Sequence, residues 1–200
     1  MSSLHTETPD TADTRERILR ATLRLMEQWR GQSVRVEDIA HAAGVSRQAV
    51  YLHFGSRTEL LVATARYLDE RLQLPERLQQ VLHAKGGAES IDAYTAFWAA
   101  YIPEIYGLAT ALLTTRATDE AAATAWTDRM TALYEGCRAV VLCLEEEGTL
   151  AAEWTVETAA DFFWAALALE VWERLTRERG WTQAQYLEGM QRVIRRALLT

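Results

Sequence analysis

The chain has 200 residues, which fits one large domain or two smaller ones and is enough to bury a core without disulfide staples. Ala and Leu dominate its apolar residues, whereas Gly (10) and Pro (3) are scarce, and this composition favours helices over sheets. The net charge of -7 argues against nucleic-acid binding only if the charge is spread evenly along the chain.

Charge is distributed unevenly along the sequence. Residues 15–66 hold nine Arg against five acidic residues, residues 67–200 hold twelve basic against twenty acidic residues, and the first fourteen residues add three acids. A basic head on an acidic body is expected when only one end approaches a polyanion, although a mixed-charge surface without a partner is the alternative. Because the apolar stretches are interrupted early and the start lacks a secretory signal, we expect a cytoplasmic protein with no membrane contact.

The predicted elements begin after an acidic tail, residues 1–14, which we expect to be disordered. Asp13 and Glu16 have the spacing of a capping box, and apolar residues then recur at three- and four-residue steps up to Trp29. This pattern predicts a first amphipathic helix that ends at Gly31 and has Arg17 on its outer face.

Residues 36–54, VEDIAHAAGVSRQAVYLHF, indicate two short helices joined by a tight turn. Gly44 can adopt the positive φ that reverses the chain, and Ser46 can cap the second helix. Side chains on the exposed face of that helix can bond phosphates or base edges in a major groove, with a solvated face as the alternative. They are Arg47, Gln48, Tyr51 and His53.

The run VEDIAHAAGVSRQAVYLHFGSRTELLVA resembles the DNA-binding segment of the TetR family of transcriptional regulators, and the ending ERGWTQAQYLEGMQRVIRRALL is also similar to that family. The resemblance implies an all-α fold. A three-helix helix-turn-helix head is joined through a fourth helix to a larger helical body. The expected domains are residues 15–72 for DNA binding and residues 73–200 for ligand binding and dimerisation.

The resemblance also assigns roles to residues of the head. It implies that Tyr51 and His53 contact phosphates, that Arg47 and Gln48 face bases, and that Arg57 takes the place of a backbone-binding Lys. This chain has Arg35 where the family often has a Thr or Ser that caps the second helix. Ser33 or water is therefore expected to cap that helix. Arg35 is expected to reach a phosphate through its charge. The expected DNA-binding residues are Arg35, Ser46, Arg47, Gln48, Tyr51, His53 and Arg57.

The body is predicted to contain helices near residues 89–102, 104–116, 119–147, 154–179 and 182–198, with Pro103 at the start of the second. Aromatic residues recur at helical spacing on two of them. Such stripes are usual in cores, but they also fit a cavity for an apolar or aromatic ligand, which the family resemblance favours. The expected ligand-binding residues are Tyr94, Trp98, Tyr101, Trp126, Met130 and Trp164.

The stretch ETAADFFWAALALEVWERL is apolar around most of its circumference, so a helix there needs partners on several sides. The resemblance implies that it joins the last helix in a four-helix bundle with a second subunit. The expected dimer-interface residues are Phe163, Leu167, Val171, Tyr186, Met190, Val193 and Ile194.

The sequence shows no Ser, His and acid arrangement, no phosphate loop and no metal-ligand spacing, so we expect no catalytic residues, metal or cofactor. The predicted protein is a homodimeric transcription regulator that associates with the nucleoid when bound to DNA. It is expected to repress from a palindromic operator in duplex DNA and to be released by a small effector. A scaffold that uses the head to bind protein is the main rival, and an all-helical enzyme is a weaker one.

Overall fold

The computed structural model describes residues 9–29, 32–82 and 86–200. Within these ranges the regular structure is helical, and the extended pairing found is a single bridge between Leu150 and Leu199. The all-α prediction is therefore confirmed. In chain order the helices are α1 (Pro9–Gln28), α2 (Val36–Ala43), α3 (Arg47–Phe54), α4 (Arg57–Arg71), α5 (Leu74–Leu82), α6 (Gly87–Thr115), α7 (Glu120–Glu146), α8 (Val156–Ala166), α9 (Leu169–Glu173), a π-helical turn (Arg174–Glu178) and α10 (Gln183–Leu198).

The start of α1 differs from the prediction. The first eight tail residues and Gly31, predicted to end α1, lie outside the described residues, but residues 9–14 are helical. Asp13 is therefore inside the helix, where its carboxylate lies 3.9 Å from the Arg17 guanidinium instead of capping the first turn. Trp29, assigned to the apolar stripe, follows the helix end and keeps 36% of its surface exposed.

The chain forms two compact units. The first contains the residues up to Arg71 together with Gly107–Asp128, and the second contains Leu72–Tyr106 and Arg129–Thr200. In the first unit, α1, α2, α3 and α4 pack around a core of apolar side chains and two buried threonines. The most buried of these side chains are Ile18, Thr22, Ile39, Val50, Leu60, Leu61 and Thr64.

Helix α6 is longer than predicted because it continues through Pro103. Proline has no N–H, so the Ala99 carbonyl one turn earlier loses its usual partner within the helix. The Gln183 side-chain amide donates to this carbonyl at 2.7 Å, and the Gln183 side-chain oxygen accepts from Trp172 Nε1 at 2.8 Å. The first residue of α10 thus supplies the hydrogen bond that proline removes from α6.

Among the described residues, α6 is the one helix long and apolar enough to cross a membrane, with a mean hydropathy of 1.2 over its most apolar 18 residues. The sequence prediction missed this length because it divided the segment at Pro103. Several α6 side chains are buried inside the second unit, among them Ile91, Trp98 and Ile102. A core helix of this kind passes the same test of length and composition, so the finding is weak evidence for a membrane span.

The helix predicted near residues 154–179 is interrupted. Thr155 caps α8 in a capping box, α8 ends at Ala166, and the chain resumes as α9 and the π-helical turn. At the break, the Leu167 carbonyl accepts a hydrogen bond from Trp98 Nε1 at 2.7 Å. A carbonyl outside the regular helix pattern therefore satisfies a buried indole N–H.

The second unit buries most of the residues assigned to a dimer interface within its own core. Five of the seven are no more than 7% exposed in the single chain, so they have little surface to offer a second subunit. Val193 keeps 52% of its surface exposed, and Val171 is half-buried. Apolar spacing predicted that these positions are buried, but it does not distinguish burial within one chain from burial against a second subunit. The five are Phe163, Leu167, Tyr186, Met190 and Ile194.

Candidate nucleic-acid interface

The turn between α2 and α3 has the geometry that the sequence predicted. Gly44 ends α2 with φ 67° and ψ 37°, a left-handed conformation that costs glycine little. Ser46 then has an extended backbone, and its hydroxyl accepts a hydrogen bond from the Ala49 amide at 3.1 Å. The turn and the cap together fix the direction in which α3 leaves α2.

Helix α3 buries one face and exposes the other. Val50 and Phe54 are almost fully buried, whereas Gln48 is exposed and Tyr51 retains 36% of its surface. Leu52 is 81% exposed and is the one large aliphatic side chain on the outer face of α3. Its position opposite Val50 and Phe54 on the helix is the sequence signal that could have identified it as exposed.

Arg47 lies at the start of α3 and is held by two exposed neighbours. Its guanidinium is 2.7 Å from the Glu37 carboxylate of α2 and lies 5.6 Å from the centre of the Tyr51 ring. Both side chains of the ion pair are more than half exposed, so the pair is weak and can exchange for another anion. Arg47 is therefore available to a phosphate or a base edge. His53 is half-buried, with its ring 6.3 Å from that of Phe54.

Arg35 occupies the N-cap position of α2 with an extended backbone and no capping hydrogen bond from its side chain. It is exposed, as a phosphate contact requires. Ser33 or water is expected to cap α2, and the structure shows the Ser33 hydroxyl donating to Asp119 Oδ2 at 2.7 Å.

Arg57 has a different partner from the one that the resemblance implies. Both terminal nitrogens of its guanidinium donate to the two Asp119 oxygens at 2.6 and 2.7 Å, and its Nε donates to the Val34 carbonyl at 3.1 Å. The two side chains are only 25% and 7% exposed. Because a carboxylate and a phosphate engage a guanidinium with the same two-point geometry, Arg57 cannot bind a phosphate in this way while it is paired with Asp119.

Asp119 also caps α7, since its Oδ1 accepts from the amides of Ala121 and Ala122 at 3.1 and 3.3 Å. Burial alone would raise the pKa of this carboxyl. The hydrogen bonds from Arg57, Ser33 and the Ala122 amide outweigh burial and lower the pKa of Asp119 to about 2. The sequence could predict a cap before α7, but not a pairing with a residue 62 positions away.

Arg17 also has a role that the sequence missed. Its guanidinium donates to the Ala43 carbonyl at 3.2 Å, at the end of α2, instead of standing free on the outer face of α1. A cation at a helix C-terminus satisfies a free carbonyl and complements the helix dipole. The contact ties α1 to the helix-turn-helix.

The six side chains predicted to line a ligand cavity fall in both units. Trp126 belongs to the first unit, where the Arg116 guanidinium lies 5.2 Å from its ring centre, and the other five belong to the second. Tyr94 packs against the Phe163 ring and donates its hydroxyl to the Leu133 carbonyl at 3.2 Å. Tyr94, Trp98 and Tyr101 are all buried, while Met130 and Trp164 are half-buried.

Comparison with known proteins agrees with this geometry. Residues 18–64, from the middle of α1 to the middle of α4, match the family described as bacterial regulatory proteins, tetR family. The head of the chain is therefore similar to the DNA-binding segment of tetR-family regulators. The HTH-type transcriptional regulator AlkX of Mycobacterium tuberculosis is 37% identical over 75 residues, which are 38% of this chain and 32% of AlkX. The match therefore spans about a third of that relative.

Solved structures of similar fold cover nearly the whole chain. NalD of Pseudomonas aeruginosa, the secondary repressor of the MexAB-OprM multidrug efflux pump, is 23% identical with a TM-score of 0.71, covering 95% of this chain and 97% of NalD. The regulator FadR of Bacillus subtilis, solved in complex with stearoyl-CoA, is 12% identical with a TM-score of 0.73, covering 91% of this chain and 98% of FadR. The likeness in fold to these two structures thus extends through the helical body.

Proposed function

We propose that the chain is a DNA-binding transcriptional regulator whose head, residues 15–72, reads duplex DNA through α3. The observation that carries the proposal is the exposed face of this capped eight-residue helix, which presents Arg47, Gln48, Tyr51 and Leu52. Arg can fork onto guanine, Gln onto adenine, and an apolar side chain can contact the thymine methyl group. The match of residues 18–64 supports a regulator over an enzyme.

One eight-residue helix reads few bases, so specificity needs a second copy of the head. A homodimer with twofold symmetry that sets two α3 helices about 34 Å apart would read a palindrome in successive major grooves. Arg35, His53 and the Ser46 end of α3 are proposed to contact the flanking phosphates. Arg57 joins them only if its pair with Asp119 opens.

The body, residues 73–200, is proposed to bind a small apolar or aromatic effector and to carry the dimer interface. The complex of FadR with stearoyl-CoA supports ligand binding by this fold, and the description of NalD supports repression. Release from DNA would be a population shift, in which the effector favours a state where α4 changes the separation of the heads. The effector must bind that state better by a few kcal/mol.

Selection of bound fragments from random duplexes by the purified chain tests the proposal directly. We expect a palindromic consensus and an affinity that falls steeply with salt, because bound phosphates release counterions. Failure to select any sequence, or indifference to duplexes at low salt, would favour the protein-binding scaffold.

Two variants test the roles within α3. Arg47→Ala is expected to weaken operator binding by roughly 1–3 kcal/mol and to relax the preference at one base position. Tyr51→Phe removes only a hydroxyl and is expected to weaken binding about equally for all sequences. Footprinting and competition with point-mutated operators distinguish the two effects, and unchanged affinity in both variants would refute the assignment.

A further inference from the structure

The second unit contains a corner of two aromatic rings that is occupied by a cation of the chain itself. The rings of Tyr106 and Trp172 have centres 5.2 Å apart and planes tilted by 53°. The Arg177 guanidinium carbon lies 5.2 Å from the Tyr106 ring centre and 5.4 Å from that of Trp172. One guanidinium therefore makes two cation–π contacts at once, each within the usual 6 Å limit.

A carboxylate adds negative charge to the same corner. The Tyr106 hydroxyl donates to Glu173 Oε1 at 2.5 Å, and Glu173 is half-buried beside Trp172 in α9. Two ring faces with a carboxylate next to them attract positive charge more strongly than the rings alone.

The walls of this corner are fixed in place. Trp172 is only 3% exposed, and its indole N–H is bonded to Gln183, which in turn is bonded to the Ala99 carbonyl beside Pro103. Arg177, in contrast, is exposed and sits on a π-helical turn, a distortion found frequently at functional sites. A rigid aromatic site with a long, exposed occupant can exchange that occupant at little cost.

We propose that this corner, defined by Tyr106, Trp172 and Glu173, binds an organic cation of quaternary ammonium or guanidinium type, and that Arg177 occupies it in the absence of ligand. The net negative charge of the body also favours a cationic ligand, since residues 67–200 hold twelve basic against twenty acidic residues. The proposal rests on the proposed function, because it assigns a chemical class to one effector of the body.

Tetramethylammonium chloride is a direct probe for the full chain, with NaCl added to hold ionic strength constant and tert-butanol as a neutral molecule of similar size. NMR of the chain labelled with 15N at its seven tryptophan indoles reports each ring, and Trp172→Phe assigns the Trp172 signal. We expect tetramethylammonium to shift the Trp172 signal with saturation, and tert-butanol to leave it unchanged.

Two variants and a matched control separate this site from a structural cation–π contact. Arg177→Gln removes the internal competitor and is expected to tighten tetramethylammonium binding about five-fold, whereas Glu173→Gln is expected to weaken it about five-fold. Arg174→Gln removes the same charge from an exposed residue of the same turn and is expected to leave the affinity unchanged. A non-saturable shift, an equal response to tert-butanol, or an Arg177→Gln variant that does not bind more tightly would overturn the proposal.

Binding of duplex DNA, measured on the same preparations, distinguishes failure of the proposed cation site from failure of the proposed function. A chain that binds duplexes but shows no cation site refutes the inference alone. A chain that binds the cation but ignores duplexes supports the site and contradicts the regulator.

Discussion

Two acidic residues of the first unit form ion pairs with arginines, and the two pairs differ in strength because their exposure to solvent differs. Glu37 pairs with Arg47 in the open, where solvent and salt weaken the attraction. Asp119 pairs with Arg57 at two points, is only 7% exposed, and also caps a helix. The first pair can exchange for the proposed contact of Arg47 with DNA, whereas the second is part of the folded structure of the unit.

Glu37→Gln is expected to strengthen operator binding by about 0.5–1 kcal/mol, because it frees Arg47 and removes a negative charge next to α3. Affinity for the selected operator at low salt is the measurement. Glu70→Gln, an equal change of charge at an exposed position of α4, is the control and should have a smaller effect. Weaker binding by Glu37→Gln would mean that Glu37 orients Arg47 instead of competing for it.

Asp119→Asn is expected to cost about 2 kcal/mol of unfolding free energy at pH 7, because asparagine still caps α7 but loses the charged pair with Arg57. The pKa of Asp119 is lowered from 3.8 to about 2 in the folded chain. Its stabilisation is therefore complete above pH 3.8 and is lost as the pH falls through about 2.

Denaturant unfolding of the two proteins between pH 7 and pH 2 measures this difference, which should shrink toward zero at the acid end. Asp128→Asn is the control in the same unit, since Asp128 pairs with a 59% exposed Arg66 and should cost less than 1 kcal/mol. A loss independent of pH would assign the effect of Asp119→Asn to packing.

At the scale of elements, turns and caps that depend on neighbouring residues could be predicted from the sequence, whereas hydrogen bonds between residues far apart in the chain could not. Gly44 and Ser46 predicted the turn and the cap because their roles depend on their own backbone and on neighbours within a few residues. The continuation of α6 through Pro103 was missed because the compensating donor, Gln183, lies in α10. The break after α8 was missed for the same reason, since its free Leu167 carbonyl is satisfied by Trp98 of α6.

The hydrogen bonds around Pro103 can be tested by a double-mutant cycle. Gln183→Ala leaves the Ala99 carbonyl and the Trp172 indole without their partner and is expected to cost about 1 kcal/mol of unfolding free energy, since Gln183 is itself exposed. Pro103→Ala supplies an amide to Ala99 from within α6. In its presence Gln183→Ala should cost less; equal costs in both backgrounds would show that Gln183 does not compensate for the proline.

At the scale of the whole molecule, the proposed palindromic operator requires two heads, so the oligomeric state would decide the affinity for DNA. Most residues predicted for the interface are buried within the subunit, and this leaves the half-buried Val171 and the exposed surface of α10 around Val193 as the parts of that prediction able to meet a partner. Apolar periodicity predicted that one face of each of these helices is buried. It could not predict that residues of the same chain, instead of a second subunit, cover that face.

Val193→Asp is expected to convert the proposed homodimer to monomer and to weaken binding to a full palindrome by about 2 kcal/mol or more, while binding to a half-site changes little. Light scattering after gel filtration gives the mass. Glu188→Arg, an exposed substitution elsewhere on α10, is the control. A Val193→Asp protein that remains dimeric would place the interface outside α10.

The exposed Leu52 gives the proposed DNA-reading face of α3 one apolar side chain among its polar ones, with 81% of its surface accessible. A leucine that touches the thymine methyl group responds to the methyl and not to the rest of the base. Because 5-methylcytosine carries its methyl at the same ring position, replacing that thymine by methylated cytosine should retain the apolar contact, while unmodified cytosine would lose it. Enzymatic cytosine methylation at this position would then strengthen a cytosine-containing site that the protein otherwise binds poorly.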